Sequence, residues 1–126
     1  MNRKTILIVE DEGLIVLHMT ELLEKAGYRL VDPAFSGETA LQALGKSQKP
    51  DLILMDIGLA GSLDGIETAR QIRQRFSIPL IFVTAYTSER MLERIREVAP
   101  AGVIIKPFVD SDLLDLVSTT LAGQSP

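Results

Sequence analysis

Short runs of consecutive apolar residues alternate along this chain with longer segments in which apolar residues recur every three or four positions. The short runs predict strands that are covered on both faces, and the spaced pattern predicts amphipathic helices. The clear strands are predicted at Thr5–Val9, Leu52–Met55, Leu80–Val83 and Val103–Ile105. A weaker strand is predicted at Leu30 and Val31, and the nearby Pro33 favours a position at the edge of a sheet.

Five helices are predicted between and after these strands. They cover Leu14–Ala26, Ser36–Gly45, Ile66–Phe76, Ser88–Val98 and Asp110–Leu121. Gly27 is suited to end the first helix, Ser36 to cap the second and Asp110 to cap the fifth. The alternation predicts one α/β domain over residues 1–126, a doubly wound (βα)5 parallel sheet with helices on both faces and a short tail at 123–126.

Composition limits the functions that this domain can have. The 126 residues suffice for one core, and the absence of cysteine excludes disulfides, thiolate metal sites and cysteine nucleophiles. The 13 Lys and Arg against 17 Asp and Glu give a net charge of −4, which argues against direct binding to nucleic acid. No apolar stretch is long enough for a membrane span, and the first one is too short for a secretion signal. We therefore expect a cytoplasmic protein that does not contact a membrane.

Polar residues stand at the carboxyl ends of the predicted strands, where open α/β sheets bind their ligands. These residues are Glu10, Asp11 and Glu12 after the first strand, Asp56 after the third, Thr84 after the fourth and Lys106 after the fifth. Clustered carboxylates repel one another unless positive charge intervenes, and oxygen ligands without His or Cys suit Mg²⁺. The set predicts a magnesium-dependent phosphoryl-transfer site in which a carboxylate is the acceptor.

Five short motifs give the chain a resemblance to the receiver domains of two-component response regulators over about residues 4–122. The motifs are Val9–Glu12, Leu54–Ile57, Asp64–Gly65, Val83–Ala85 and Lys106–Phe108. The resemblance implies a flavodoxin-like strand order of 2-1-3-4-5. It also implies that Asp56 is the phosphoacceptor, and that Glu10, Asp11, Asp56 and the backbone carbonyl of Gly58 hold Mg²⁺.

The same resemblance implies which groups contact the phosphoryl group. Thr84 would reach it through its hydroxyl, Ala85 through its backbone N–H and Lys106 through its ammonium group. The Lys106–Pro107 bond would be cis, which an X-Pro bond tolerates at modest cost.

The implied function is signalling rather than turnover of an external substrate, with catalysis limited to the domain's own phosphorylation and dephosphorylation. The donor would be a sensor histidine kinase or a histidine phosphotransfer protein. The output would be a changed surface on the fourth helix, fifth strand and fifth helix, offered to a downstream protein or to a second copy.

The alternative is a degenerate receiver that acts as an interaction module without phosphorylation. A haloacid-dehalogenase-like phosphatase would need an Asp at Gly58, and a flavodoxin would need a hydroxyl-rich loop after the first strand.

Several positions depart from the usual receiver pattern. The loop Gly58–Gly65 lacks the usual proline and is one residue longer, which predicts a mobile lip over the site. Val103 stands where many receivers carry a switching aromatic residue, so Tyr86 is the expected moving ring. The apolar run Leu14–Leu17 favours deep burial of the first helix over a docking role, and His18 is interpreted as a partly exposed packing residue.

Overall fold

The computed structural model describes residues 3–46, 49–59, 61, 63–85 and 88–123. The strands are β1 (Thr5–Val9), β2 (Arg29–Leu30), β3 (Leu52–Asp56), β4 (Leu80–Thr84) and β5 (Gly102–Ile105). The helices are α1 (Gly13–Lys25), α2 (Gly37–Lys46), α3 (Gly65–Arg75), α4 (Glu89–Val98) and α5 (Asp110–Ala122). The predictions for Tyr86 and for residues 124–126 of the tail lie outside the described residues.

The five strands form one parallel sheet in the order β2-β1-β3-β4-β5, which confirms the predicted α/β fold and strand order. The two-residue β2 lies at one edge, as the nearby Pro33 indicated. Val9 at the end of β1 pairs with Met55 in β3, so that Glu10 follows β1 at the level of Asp56. The last residue of β4 pairs with the last residue of β5 in the same way. The register therefore gathers the polar strand ends at one edge of the sheet.

The sheet separates two apolar layers, because successive side chains of a strand point to opposite faces. Strand residues of the layer beneath α2, α3 and α4 are Leu7, Val9, Ile53, Met55, Leu80 and Phe82. Strand residues of the layer beneath α1 and α5 are Ile6, Ile8, Leu52, Leu54, Ile81, Val83 and Ile104. Helices thus cover both faces, as predicted. Within the described part of the chain, no helix has the length and apolar character that crossing a membrane requires.

The exposed face of α1 corrects one prediction from the sequence. Leu14 is 83% exposed and Leu17 is 54% exposed, so the expected deep burial of the run Leu14–Leu17 is wrong. The residues of α1 that enter the core are Val16, Met19 and Leu23. Residues three apart share a helix face, so Leu14 and Leu17 lie together on the side that the sheet does not cover.

The start of α5 corrects a second prediction. The N-cap of α5 is Val109, whose side chain makes no capping hydrogen bond, and Asp110 is the first helical residue. The Asp110 carboxylate lies instead 2.9 Å from Nε2 of His18 on α1. The prediction of Asp110 as the cap is therefore wrong, since Asp110 lies one residue inside the helix and its carboxylate is paired with α1.

The predicted cap of the second helix is confirmed. The Ser36 hydroxyl accepts a hydrogen bond from the Thr39 amide at 3.1 Å. The end of α1 also matches the prediction, since Gly27 follows the last turn with a φ of 100°, a conformation that glycine adopts without strain.

The first residue of α3 is packed directly against the end of β3. The Gly65 amide donates a hydrogen bond to the Ile57 carbonyl at 2.9 Å. A Cβ at Gly65 would lie 2.0 Å from the Asp56 carbonyl oxygen and 2.6 Å from Cα of Ile57. Since these neighbours are backbone atoms, only a residue without a side chain fits between α3 and the strand that ends in Asp56.

We expect Gly65→Ala to lower the free energy of unfolding by about 3 kcal/mol, at the upper end of the usual cost of overpacking. Gly13→Ala is the matched control, because Gly13 is the first residue of α1 and a Cβ there would meet nothing within 4 Å. That control should be neutral or slightly stabilising. Urea-induced unfolding measures both variants. Equal stability of Gly65→Ala and the wild type would contradict the close contact with β3.

Candidate functional site

Three carboxylates meet at the carboxyl edge of β1 and β3. Ligand oxygens of Glu10, Asp11 and Asp56 all lie within 4.8 Å of one another. Glu10 is completely buried and Asp56 is only 7% exposed. The adjacent positions of β1 and β3 in the sheet create this cluster, since Glu10 follows one strand and Asp56 ends the other.

Lys106 supplies positive charge to this cluster. It follows β5, which is separated from β3 by β4 in the sheet. Its Nζ lies 2.8 Å from Oε1 of Glu10 and 3.4 Å from Oδ1 of Asp56. The Lys106 amide donates a hydrogen bond to the Thr84 carbonyl at 2.8 Å, which fixes the backbone where the side chain begins. The side chain then reaches across β4 to β1 and β3. The Lys106–Pro107 peptide bond is cis, in agreement with the expectation from the sequence.

Burial and pairing act in opposite directions on the charges of the site. Burial raises the pKa of the Glu10 carboxyl above its usual value, and repulsion from Asp56 adds to the rise although Lys106 and the Glu12 amide oppose it. Burial alone would lower the pKa of Lys106, but Glu10 and Asp56 outweigh it and hold that pKa above its usual value. Lys106 therefore stays protonated. The negative charge of Glu10 is destabilised by burial, and further positive charge nearby would reduce that destabilisation.

The remaining predicted residues stand at the same edge of the sheet. Thr84 ends β4 between the strands of Asp56 and Lys106, and its side chain is buried. Ala85 follows it and is exposed, and Gly58 is exposed two residues after Asp56. Lys106 joins Glu10 and Asp56 at this edge, and the Glu12 amide donates a hydrogen bond to the Glu10 carboxylate at 3.1 Å.

The loop between Asp56 and Gly65 borders this edge. Gly61 has a φ of 104°, which favours glycine, and a Cβ there would lie 3.2 Å from Oε2 of Glu38 on α2. The predicted mobile lip includes residues 60 and 62, which lie outside the described residues, and its mobility remains a prediction.

One pair of residues near the site was not found from the sequence. Asp64 caps α3 and its Oδ2 lies 3.0 Å from Nη2 of Arg94 on α4. The pattern of Asp64 followed three residues later by Glu67 is a local signal of a helix cap. Arg94 carries no such signal, because its partner lies 30 positions away in the chain.

The arrangement can hold a hard cation and accept an electrophile. Carboxylate oxygens with no His or Cys are the ligand set that suits Mg²⁺. A carboxylate of Asp56 beside a fixed ammonium group is also placed to attack a phosphorus atom whose oxygens need positive charge.

Comparison with known proteins agrees with this geometry. Residues 6–118 match the family of response regulator receiver domains. The transcriptional regulatory protein PdtaR of Mycobacterium tuberculosis is 33% identical over 119 residues, which cover 94% of this chain and 57% of the relative. The phyllosphere-induced regulator PhyR of Methylorubrum extorquens is 36% identical over 119 residues, covering 94% of this chain and 44% of the relative. The chain thus spans about half the length of these relatives.

A solved structure gives the same result at the level of the fold. The N-terminal domain of a response regulator/sensory box/GGDEF 3-domain protein from Carboxydothermus hydrogenoformans has a TM-score of 0.86 and 37% identity, and 94% of each chain is covered. With the family match, the strand order and these relatives together, the chain belongs to the response regulator receiver domains.

Proposed function

We propose that this domain accepts a phosphoryl group on Asp56 from the phosphohistidine of a sensor histidine kinase or a histidine phosphotransfer protein. The observation that carries the proposal is the position of Asp56, in a cluster with Glu10 and Asp11 and 3.4 Å from the Lys106 ammonium. A carboxylate oxygen of Asp56 forms a bond to phosphorus while the bond from phosphorus to the donor nitrogen breaks. The electron pair of that bond returns to the imidazole, and an acyl phosphate remains on Asp56.

The carboxylates fit Mg²⁺, and we assign it to Glu10, Asp11, Asp56 and the backbone carbonyl of Gly58. When bound, the ion supplies positive charge to the phosphoryl oxygens and to the clustered acids. The raised pKa of Glu10 supports this assignment, because it reflects a buried acid that one lysine does not fully compensate. The site residues themselves position the acceptor and exclude bulk water from it, since Glu10 and Asp56 are buried.

The donors around Asp56 complete the site. Lys106 keeps its proton because its pKa is raised. A short movement of its ammonium group would exchange the contact with Glu10 for a contact with a phosphoryl oxygen. Thr84 at the end of β4 offers its hydroxyl, and Ala85 offers its backbone N–H. Loss of the phosphoryl group by hydrolysis takes place at the same acceptor, and the exposed Gly58, two residues after Asp56, contributes no side chain there. The domain needs no external substrate other than its phosphodonor.

The donor docks on the exposed apolar face of α1. Leu14 and Leu17 lie on this face, and α1 begins only three residues after Glu10, next to the acceptor. Phe108, partly buried with its ring centroid 6.3 Å from that of His18, extends the apolar surface towards α5. Leucines at this level of exposure favour contact with another apolar surface, and a pair of helices in the donor presents one. We place this exchange in the cytoplasm.

The output surface comprises α4, β5 and α5. Among the described strands β5 lies at the edge of the sheet beside β4, and its residue Ile105 is 43% exposed. A change of this surface would be read by a downstream protein or by a second copy of the domain rather than by nucleic acid directly. Val103 is partly buried against the layer of α2, α3 and α4 and carries no ring that could switch.

Incubation with acetyl phosphate and Mg²⁺ should add the mass of one phosphoryl group to the wild type. Asp56→Asn should prevent the addition, because an amide is a poor nucleophile, and EDTA should prevent it in the wild type. Asp115→Asn, on the exposed side of α5, is the control and should be modified normally. Intact-mass spectrometry gives the answer. Normal modification of Asp56→Asn would refute the acceptor, and an unmodified wild type would favour the interaction module without phosphorylation.

Asp11→Ala should weaken Mg²⁺ binding by at least about tenfold, because it removes an anionic ligand from the cluster. Without Mg²⁺ the same variant should be slightly more stable than the wild type, since one repulsion is relieved. Glu12→Ala is the control, because Glu12 is the adjacent acid but lies outside the cluster. Calorimetric titration and thermal unfolding measure the two effects. Unchanged Mg²⁺ affinity in Asp11→Ala would contradict the assigned ligands.

Leu17→Glu should slow phosphoryl transfer by about tenfold or more from any phosphohistidine protein that phosphorylates the wild type, because a charge interrupts the apolar contact. Modification by acetyl phosphate should be unchanged. Glu24→Lys, near the far end of α1, is the control. Rates are followed by transfer of radiolabelled phosphate. A Leu17→Glu variant that reacts at the wild-type rate with the protein donor would exclude this face of α1 as the docking site.

A further inference from the structure

The amino-terminal end of α3 is tied to α4 by an ion pair that the proposed chemistry does not use. Oδ1 of Asp64 accepts a hydrogen bond from the Glu67 amide at 2.8 Å, which caps α3. Oδ2 of the same carboxylate lies 3.0 Å from Nη2 of Arg94. The two side chains are 38% and 35% exposed, so the pair is partly shielded from water. The Asp64 carboxylate therefore caps α3 and also forms an ion pair with α4.

The capped end of α3 bears directly on the acceptor. Gly65 follows Asp64, donates its amide hydrogen to the Ile57 carbonyl and leaves no space for a Cβ against the Asp56 carbonyl. Packing without free space transmits displacement, and the 2.9 Å hydrogen bond joins the two backbones directly. A shift of Asp64 is therefore expected to move the backbone that carries the acceptor.

The ion pair persists under ordinary conditions. Burial alone would raise the pKa of Asp64, but the Glu67 amide and Arg94 outweigh it and hold that pKa below its usual value. The carboxylate is therefore charged at neutral pH. Since the folded pKa is the lower one, the stabilisation is present above the pKa of the unfolded chain and is lost as pH falls through the folded value.

A second link between α3 and α4 provides an internal comparison. Arg70 on α3 pairs with Glu67 and lies 3.7 Å from a carboxylate oxygen of Glu97 on α4. Arg70 joins the same two helices, and its ion pairs among the described residues are with Glu67 and Glu97 rather than with Asp64. The effect of tying the helices together can therefore be separated from the effect of holding the cap.

We propose that Arg94 is a positioning residue for phosphoryl acceptance, acting through its ion pair with Asp64 on the start of α3 and hence on the backbone of Asp56. The inference rests on the proposed function of Asp56. Coupling between two sites is reciprocal, so a phosphoryl group that moves this backbone also changes the hold on α4. The pair gives a route from the acceptor to the output surface that does not require an aromatic ring at Val103.

Beryllofluoride with Mg²⁺, a mimic of the phosphoryl group, tests the inference on the full chain. Arg94→Gln should weaken beryllofluoride binding by about three- to tenfold, in the range of partly exposed ion pairs and of residues that modulate coupling. Arg94→Lys should restore part of the affinity, and Arg70→Gln should stay close to the wild type. Asp64→Asn keeps a capping oxygen but loses the charge, so it should match Arg94→Gln, and the double variant should be no weaker than either.

The amide resonances of α4 provide a readout that a merely structural role would leave unchanged. Beryllofluoride should shift them in the wild type and in Arg70→Gln, and shift them much less in Arg94→Gln. Wild-type affinity in Arg94→Gln, or an equal loss in Arg70→Gln, would overturn this inference alone. Failure of the wild type to bind beryllofluoride would overturn the proposed function and the inference with it.

Discussion

The contact of the Lys106 ammonium with the buried carboxylates of Glu10 and Asp56 is the interaction on which the rest of the molecule depends. Two buried acids repel each other and lose their hydration, and only a paired cation makes their burial tolerable. Lys106 provides it at 2.8 and 3.4 Å, from a strand separated from Asp56 by β4. The site therefore exists only when β1, β3 and β5 are in register.

The register of the strands also places the site next to the helices that form the surrounding surfaces. The strand ends that carry the charges are also the points from which the helices leave the sheet. α1 starts beside Glu10 with its exposed leucines, and α3 starts at Gly65 against the backbone of Asp56. The Asp64–Arg94 pair then connects α3 with α4. Asp56 therefore lies close to the proposed donor surface. It is also connected, through the start of α3 and the Asp64–Arg94 pair, to α4 of the proposed output surface.

Much of the fold and of the candidate site follows from local patterns. Continuous apolar runs mark strands that are covered on both faces, and the helices show their period in the spacing of residues such as Leu113 and Val117. A parallel sheet brings the carboxyl ends of its strands to one edge, so residues far apart in the chain can be assigned to one site. Of the predicted acids, Glu10, Asp11 and Asp56 meet in one cluster, whereas Glu12 lies outside it.

The sequence by itself thus determined the order of strands and helices, the parallel sheet and the polar residues at its carboxyl edge. Only the tertiary structure decided which face of α1 is covered, that Asp110 pairs with His18 instead of capping α5, and that Arg94 holds Asp64. The physical reason is the range of the interactions. Apolar periodicity and strand ends are properties of neighbouring residues, whereas the direction of a helix face and the partner of a charge depend on segments that only folding brings together.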